Sequence, residues 1–201
     1  MPRLTEARRQ DRRQLLLDAA RAAFAENGFE NTSIVGIARA AGVSDGLIYR
    51  YFTDKRAVLA AVLEQFFSVL IADAEAGVAE ARGFAPRLAQ FISAHLRAFA
   101  GEMAICRLFL HEFRDAEGYF GSPIHALARR YTDLLIHLVD EGIKAGEVRA
   151  DTDARMLRDV VFGGIEHIAW RSISAEEPIE VPVTALRLTR LLMAGIAAGV
   201  E

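Results

Sequence analysis

The sequence predicts an all-α protein of about nine helices, an amino-terminal helix-turn-helix unit followed by a larger helical body. Three observations point there. Apolar residues recur at three- and four-residue spacing along almost the whole chain, no stretch alternates apolar and polar as a half-buried strand would, and the prolines fall only at the edges of periodic segments.

Each element has its own signals. Leu15/Leu16, Ala19/Ala20 and Ala23/Phe24 give an amphipathic first helix that stops at Asn27-Gly28. Thr32 or Ser33 then caps a short helix with Ile34, Ile37, Ala38 and Ala41 inward, and Gly42 ends it as a residue tolerant of left-handed geometry. Ser44 caps the next short helix, and Asp54 opens a long one through Ala81. Further helices are expected at roughly 85–100, 102–115, 123–145, 153–173 and 182–199. The loops between them carry the Gly/Pro punctuation: "ARGFAP", "DAEGYFGSP", "KAGEVRADTD" and "SAEEPIEVP".

Composition narrows the function classes. With 201 residues and 52% apolar content there is ample material for a core. The single cysteine, Cys106, excludes an internal disulfide and cysteine-rich zinc motifs, which suits a reducing compartment. No uninterrupted apolar run approaches the ~18 residues of a membrane span, and the start, "MPRLTEARRQDRRQ", lacks the apolar segment of a secretory signal. A cytoplasmic protein with no membrane partner is expected. The net charge of −3 conceals a division: residues 1–60 hold ten Arg/Lys against seven Asp/Glu, and the remainder holds fourteen against twenty. Arg3, Arg8, Arg9, Arg12 and Arg13 crowd the amino-terminal arm, as suits contact with a polyanion, although a solvated helix start reads the same on charge alone. No HExxH, GxSxG, P-loop or dinucleotide fingerprint is present, so the chain is expected to be no enzyme and to need no cofactor or metal.

Residues 33–52 have the size of a helix-turn-helix unit. In its second helix Ile48 and Phe52 lie four apart and can face inward with Val43 and Ile37, leaving Asp45, Gly46, Tyr49 and Arg50 on another face. That face suits a major groove: Gly46 lets the backbone approach, Arg50 can fork onto guanine, and Tyr49 can reach a phosphate.

At these residues the chain resembles the TetR family of bacterial transcriptional repressors, through "GFENTSIVGIARAAGVSDGLIYRYFTDKRAVL", Gly28 to Leu59. The resemblance implies that Ser44, Tyr49, Tyr51 and Lys55 hold phosphates while Asp45, Gly46, Leu47 and Arg50 face bases; Thr32, Ser33 and Arg39 complete the candidate DNA contacts. Leu47 stands where the family commonly has threonine, so it offers a thymine methyl an apolar contact or packs beside Tyr51. The resemblance also implies a division into a DNA-binding domain, 1–55, and a ligand-binding and dimerisation domain, 56–201. It implies a homodimer on a palindromic double-stranded operator. Met156, Val160, Gly163/Gly164 and His167 on one helix, with Ala185, Leu188, Leu191/Leu192 and Gly195 on the next, form the candidate dimer face or else complete the internal core.

Polar residues on apolar faces mark a candidate effector site: His95 in line with Phe91 and Phe99, Glu112 among Leu108, Phe109 and Phe113, and Glu166 between Phe162 and Trp170. Each also has a plain structural reading, as a satisfied core histidine, or a carboxylate paired with an arginine. Arg107, His111 and Arg114 form a stripe that reads as solvent-facing. The segments "LAQFISAHLRAFAGEMAICRLFLHEFR" and "YTDLLIHLVDEGIKAGEVRADTDARMLRDVVFGGIEHIAW" resemble the fatty-acid-metabolism, FadR-like branch of TetR regulators, which release DNA on binding long-chain acyl-CoA. That resemblance implies a hydrophobic small-molecule effector, an acyl chain among Phe91, Phe99, Leu108, Phe109, Leu134, Leu138, Phe162 and Ile165, with Arg107, Arg114, Arg129 or Arg130 meeting CoA phosphates. A multidrug or aromatic-compound regulator of the same family, a helical enzyme, and a helical adaptor remain as competing readings.

Overall fold

A computed structural model describes residues 6–114 and 116–197. Arg3 and the end of the last expected helix, 198–199, lie outside the described residues. Among the described residues the chain forms eight α-helices, one π-helical segment and a single isolated β-bridge, so it is all-α.

Helix α1, Glu6–Asn31, is broken at Gly28 (φ 73°, ψ 176°), the end the sequence predicted. Its buried residues are Leu16, Leu17, Ala20 and Phe24, whereas Leu15 is exposed, so the apolar stripe is rotated by one position from the expected Leu15/Leu16 pair. Helix α2, Ile34–Ala40, is capped by Ser33, whose Oγ accepts from the Gly36 amide at 2.9 Å. Thr32 does a different job: buried, its hydroxyl reaches the carbonyls of Gly28 at 2.7 Å and Ala23 at 3.2 Å and fastens the end of α1. Gly42 sits at φ 68° and turns the chain into α3, Asp45–Ile48. Ser44 precedes α3 without a side-chain capping bond, contrary to expectation. The expected second helix is a four-residue helix continued by tight turns, with the amides of Arg50, Tyr51 and Phe52 donating to Leu47, Ile48 and Ile48.

Asp54 caps helix α4, Lys55–Glu80, through the Ala57 amide at 2.8 Å. A window of α4 has a mean hydropathy of 1.8, enough to cross a membrane by length and composition, but 56% of that window is buried inside the protein. Helix α5, Phe84–Leu108, joins the two helices expected at 85–100 and 102–115, with a non-helical residue at Glu102 (φ −131°, ψ 36°) where the break was expected. It runs into the π-helical segment Phe109–Phe113. Helices α6, Pro123–Lys144, α7, Ala154–Ala175, and α8, Val181–Ile196, complete the chain.

Two compact units emerge. The first comprises residues 6–66 with 104–125, excepting 115, and the second 67–103 with 126–197. Helices α4 and α5 each contribute to both. In the second unit the segment "EGIKAGEVR" is a structural knot. Gly142 lets α6 press on Phe84 and Val148, Gly146 (φ 72°) turns the chain, and the Glu147 carboxylate accepts from the Phe84 amide at 2.7 Å, capping α5. Arg149 N–H then donates to Ile196 at 2.9 Å, beside the Val148–Ala197 bridge.

Candidate functional site

In the first unit, Ile37, Ile48 and Phe52 are buried, and this anchoring turns Asp45, Gly46, Tyr49 and Arg50 outward. Tyr49 is 52% exposed. Ser33, Arg39 and Ser44 are exposed as well, and Leu47 and Tyr51 are half-buried, Tyr51 tilted against Phe52. Ser33 accepts one capping bond yet keeps its hydroxyl proton for an outside acceptor. Of the described basic residues in α1, Arg8, Arg9 and Arg12 are exposed, while Arg13 carries its guanidinium 5.8 Å from the Phe52 ring centre. Around the short glycine-containing α3 the exposed groups are thus mostly polar, hydrogen-bonding ones.

Two expected contacts have other duties. Thr32 is sealed inside by the bonds described above, which withdraws it from the exposed set. Lys55 Nζ donates to the carbonyls of Phe29 at 2.5 Å and Glu30 at 3.2 Å and lies 4.2 Å from the Phe29 ring centre. It thereby ties the start of α4 to the end of α1. Its neighbour Arg56 donates to the Glu112 carbonyl at 3.0 Å and covers the Phe113 ring. Neither tie was read from the sequence, because no periodicity links residues this far apart; the only cue was "GFE" ahead of the "DKR" that opens α4.

The twelve expected effector residues divide between the units. Leu108, Phe109, Glu112 and Arg114 belong to the first; Phe91, His95, Phe99, Leu134, Leu138, Phe162, Ile165 and Glu166 to the second. Within the first, Leu108 is buried, Phe109 and Glu112 are half-buried, and Arg107, His111 and Arg114 are solvent-facing. Arg56 reaches Glu112 at its backbone carbonyl, whereas the expected pairing was with its carboxylate. Within the second, Phe91, His95, Phe99, Leu138 and Ile165 are buried, and Leu134, Phe162 and Glu166 are half-buried. Trp170 is exposed and stacks on His167, so the line Phe162–Glu166–Trp170 does not run inward as a whole. Arg129 and Arg130 border an open groove of about 450 Å³ along α6 with Asp133, Leu134 and His137, and Arg130 pairs with Glu75 at 2.9 Å.

His95 is the centre of an aromatic enclosure. Its ring lies 4.7 Å from Phe162, 5.4 Å from Phe99 and 5.5 Å from Tyr131, centre to centre, and Phe91 stacks on Tyr131 at 5.3 Å. Nδ1 shares a hydrogen bond of 3.1 Å with the Tyr131 hydroxyl, and Nε2 has no partner among the described residues. Burial pushes the imidazole down from 6.5 to about 3, which keeps it neutral at physiological pH. Tyr131 went unnoticed in the sequence, where it reads as one more apolar position on α6.

On α7, Met156, Val160, Gly163 and His167 are exposed, joined by Trp170, and Gly164 is half-buried. On α8 the expected face is split: Ala185 and Leu192 are buried, and the outward apolar residues are Val183, Leu186 and Leu191, the last 72% exposed.

Residues 16–62 match the family described as bacterial regulatory proteins, tetR family, and residues 83–170 match the tetracyclin repressor-like C-terminal domain. The chain belongs to the TetR family. It is similar to the fatty acid metabolism regulator protein of Bacillus subtilis (strain 168), 28% identical over 90% of this chain and 93% of that one. It is similar also to the HTH-type transcriptional repressor KstR2 of Rhodococcus jostii, 24% identical over 93% of this chain and 92% of the other. Among solved structures, the transcriptional regulator FadR from Bacillus subtilis in complex with stearoyl-CoA superposes with a TM-score of 0.81 at 27% identity, covering 91% of this chain and 98% of that one. For a TetR-family protein the exposed face around Tyr49 and Arg50 is the candidate operator contact, and the helices after α4 are the candidate receptor.

Proposed function

We propose that the protein is a ligand-responsive transcriptional repressor, not an enzyme, that acts in the cytoplasm as a homodimer on a palindromic operator and is released by a long-chain acyl-CoA. The observation that carries the DNA-binding part is the exposed set Ser44, Asp45, Gly46, Tyr49 and Arg50 held over buried Ile48 and Phe52. Arg50 reads a base edge, Tyr49, Tyr51, Ser33, Ser44 and Arg39 hold phosphates, and the α1 arginines add unspecific attraction. One such unit spans too few base pairs to be selective, so two copies related by a two-fold axis read two half-sites. The outward apolar faces of α7 and α8 support a four-helix dimer contact.

The acyl-CoA part rests on similarity to the stearoyl-CoA-bound FadR together with the apolar interior around Phe91, Phe99 and Leu138. An effector releases DNA only by favouring a conformation in which the two reading helices no longer match the operator spacing. Helix α4 suits the lever's role, since Lys55 and Arg56 fasten its first turn to the end of α1 and to the π-helical segment. The test is a gel shift with the DNA upstream of the protein's own gene, followed by titration of palmitoyl-CoA, free palmitate and CoA. A retarded band released by micromolar palmitoyl-CoA alone is expected; a band that no thioester releases would remove the acyl-CoA assignment. The ring cluster around His95 also suits a flat aromatic effector, and release by planar aromatic compounds instead would favour that second reading.

A further inference from the structure

We propose that His95 Nε2 is the hydrogen-bonding anchor for one uncharged oxygen of the effector's acyl group; this rests on the acyl-CoA reading and specifies what the second unit recognises beyond chain length. Nε2 is buried and unpartnered, although buried polar atoms are nearly always satisfied in native proteins. Phe99, Tyr131 and Phe162 surround the imidazole with ring faces and edges, and no described residue partners Nε2. The 3.1 Å contact between Nδ1 and the Tyr131 hydroxyl fits either direction of donation; in the proposed arrangement the hydroxyl donates to Nδ1, so that the neutral imidazole carries its proton on Nε2, among aromatic rings.

The chemistry of the partner follows. A carboxylate or phosphate entering this enclosure would lose its hydration and meet a neutral ring, because burial holds the imidazole unprotonated. A hydrocarbon would leave Nε2 unsatisfied. An oxygen set in an otherwise apolar chain meets both demands, and long-chain thioesters offer two sources: the thioester carbonyl, or an oxygen substituent further along the chain. Tyr131 acts as a positioning residue through its hydrogen bond to Nδ1.

The experiment is calorimetric titration of the full-length protein with palmitoyl-CoA, with S-hexadecyl-CoA, a thioether that lacks the carbonyl, and with 3-hydroxypalmitoyl-CoA. Wild-type protein should bind one oxygen-bearing thioester about tenfold more tightly than its oxygen-free counterpart: palmitoyl-CoA over the thioether if the carbonyl is read, hydroxypalmitoyl-CoA over palmitoyl-CoA if the chain oxygen is read. In His95→Phe the preference should vanish while the thioether binds at least as well as before. His95→Gln, which restores a donor, should recover part of it, and Tyr131→Phe should weaken it; circular dichroism confirms that each variant is folded. The proposal is overturned if His95→Phe keeps the wild-type preference, or if wild-type protein ranks all three alike. Wild-type protein that binds none of them overturns the acyl-CoA reading and this proposal together, which separates the two kinds of failure.

Discussion

Arg50 and Lys55 are both basic and flank the same turn, yet their surroundings predict different defects. Arg50 is exposed and free to fork onto a base, so Arg50→Ala should cost about 1–3 kcal/mol of operator binding and relax selectivity at one base pair, read by anisotropy over single-base operator variants. Lys55 spends two of its three N–H groups on the carbonyls of Phe29 and Glu30. Its replacement by alanine should lower folding stability by about 1–2 kcal/mol as well as weakening all DNA sequences alike. The outward direction of Tyr49 and Arg50 was legible because Ile48 and Phe52 fix the inward face at local spacing. The Lys55 tie was not, since it joins residues far apart in the chain. His95 supplies a pH signature. Its folded-state value, about 3, lies below the 6.5 of the unfolded chain, so only the unfolded chain gains a proton as the pH falls below about 6.5. Stability present above that pH should decline by about 1.4 kcal/mol per unit toward pH 3 from this residue, and urea melts of His95→Phe at pH 7.5 and 5 should show that part of the slope gone.

At the scale of elements, the helix boundaries were largely legible because Gly28, Gly42, Ser33 and Asp54 act locally, each through its own backbone or capping geometry. Faces were harder to read wherever the helical repeat is not 3.6. The π-helical turn Phe109–Phe113 inserts extra residues per turn, which changes the direction of Glu112 from that expected of an α-helix. On α8, nothing local distinguishes Leu191 from Leu192, and only packing decides which of the two turns outward. Gly142 offers a test in which packing opposes propensity. Alanine is the better helix former by about 1 kcal/mol, yet its Cβ here would stand 2.6 Å from Phe84 Cδ2 and 2.8 Å from Val148 Cγ2. Gly142→Ala should therefore destabilise the protein, by about 1–2 kcal/mol net, and lower its melting temperature.

For the whole molecule, the outward apolar residues of α7 and α8 set the assembly prediction. Leu191 is 72% exposed in the single chain, so Leu191→Glu should leave the melting temperature of a monomer nearly unchanged. In the dimer it should place two charges in an apolar contact. Light scattering should then show a monomer, and the palindromic operator should be bound far more weakly than by wild type, while a half-site is affected little. The all-α class, the reading unit and the exposed α7 face could be read from the sequence. The grouping of residues 104–125 with the amino-terminal helices could not, because that association is made in space after a long excursion of the chain.

That grouping constrains how such a regulator can be rebuilt. A chimera joined at one point after α4 would carry its reading helices but leave behind the segment that supplies Glu112 and Phe113 to Arg56. Exchanging operator specificity between relatives thus calls for two transplanted pieces, or for altering the exposed side chains one by one on an intact scaffold.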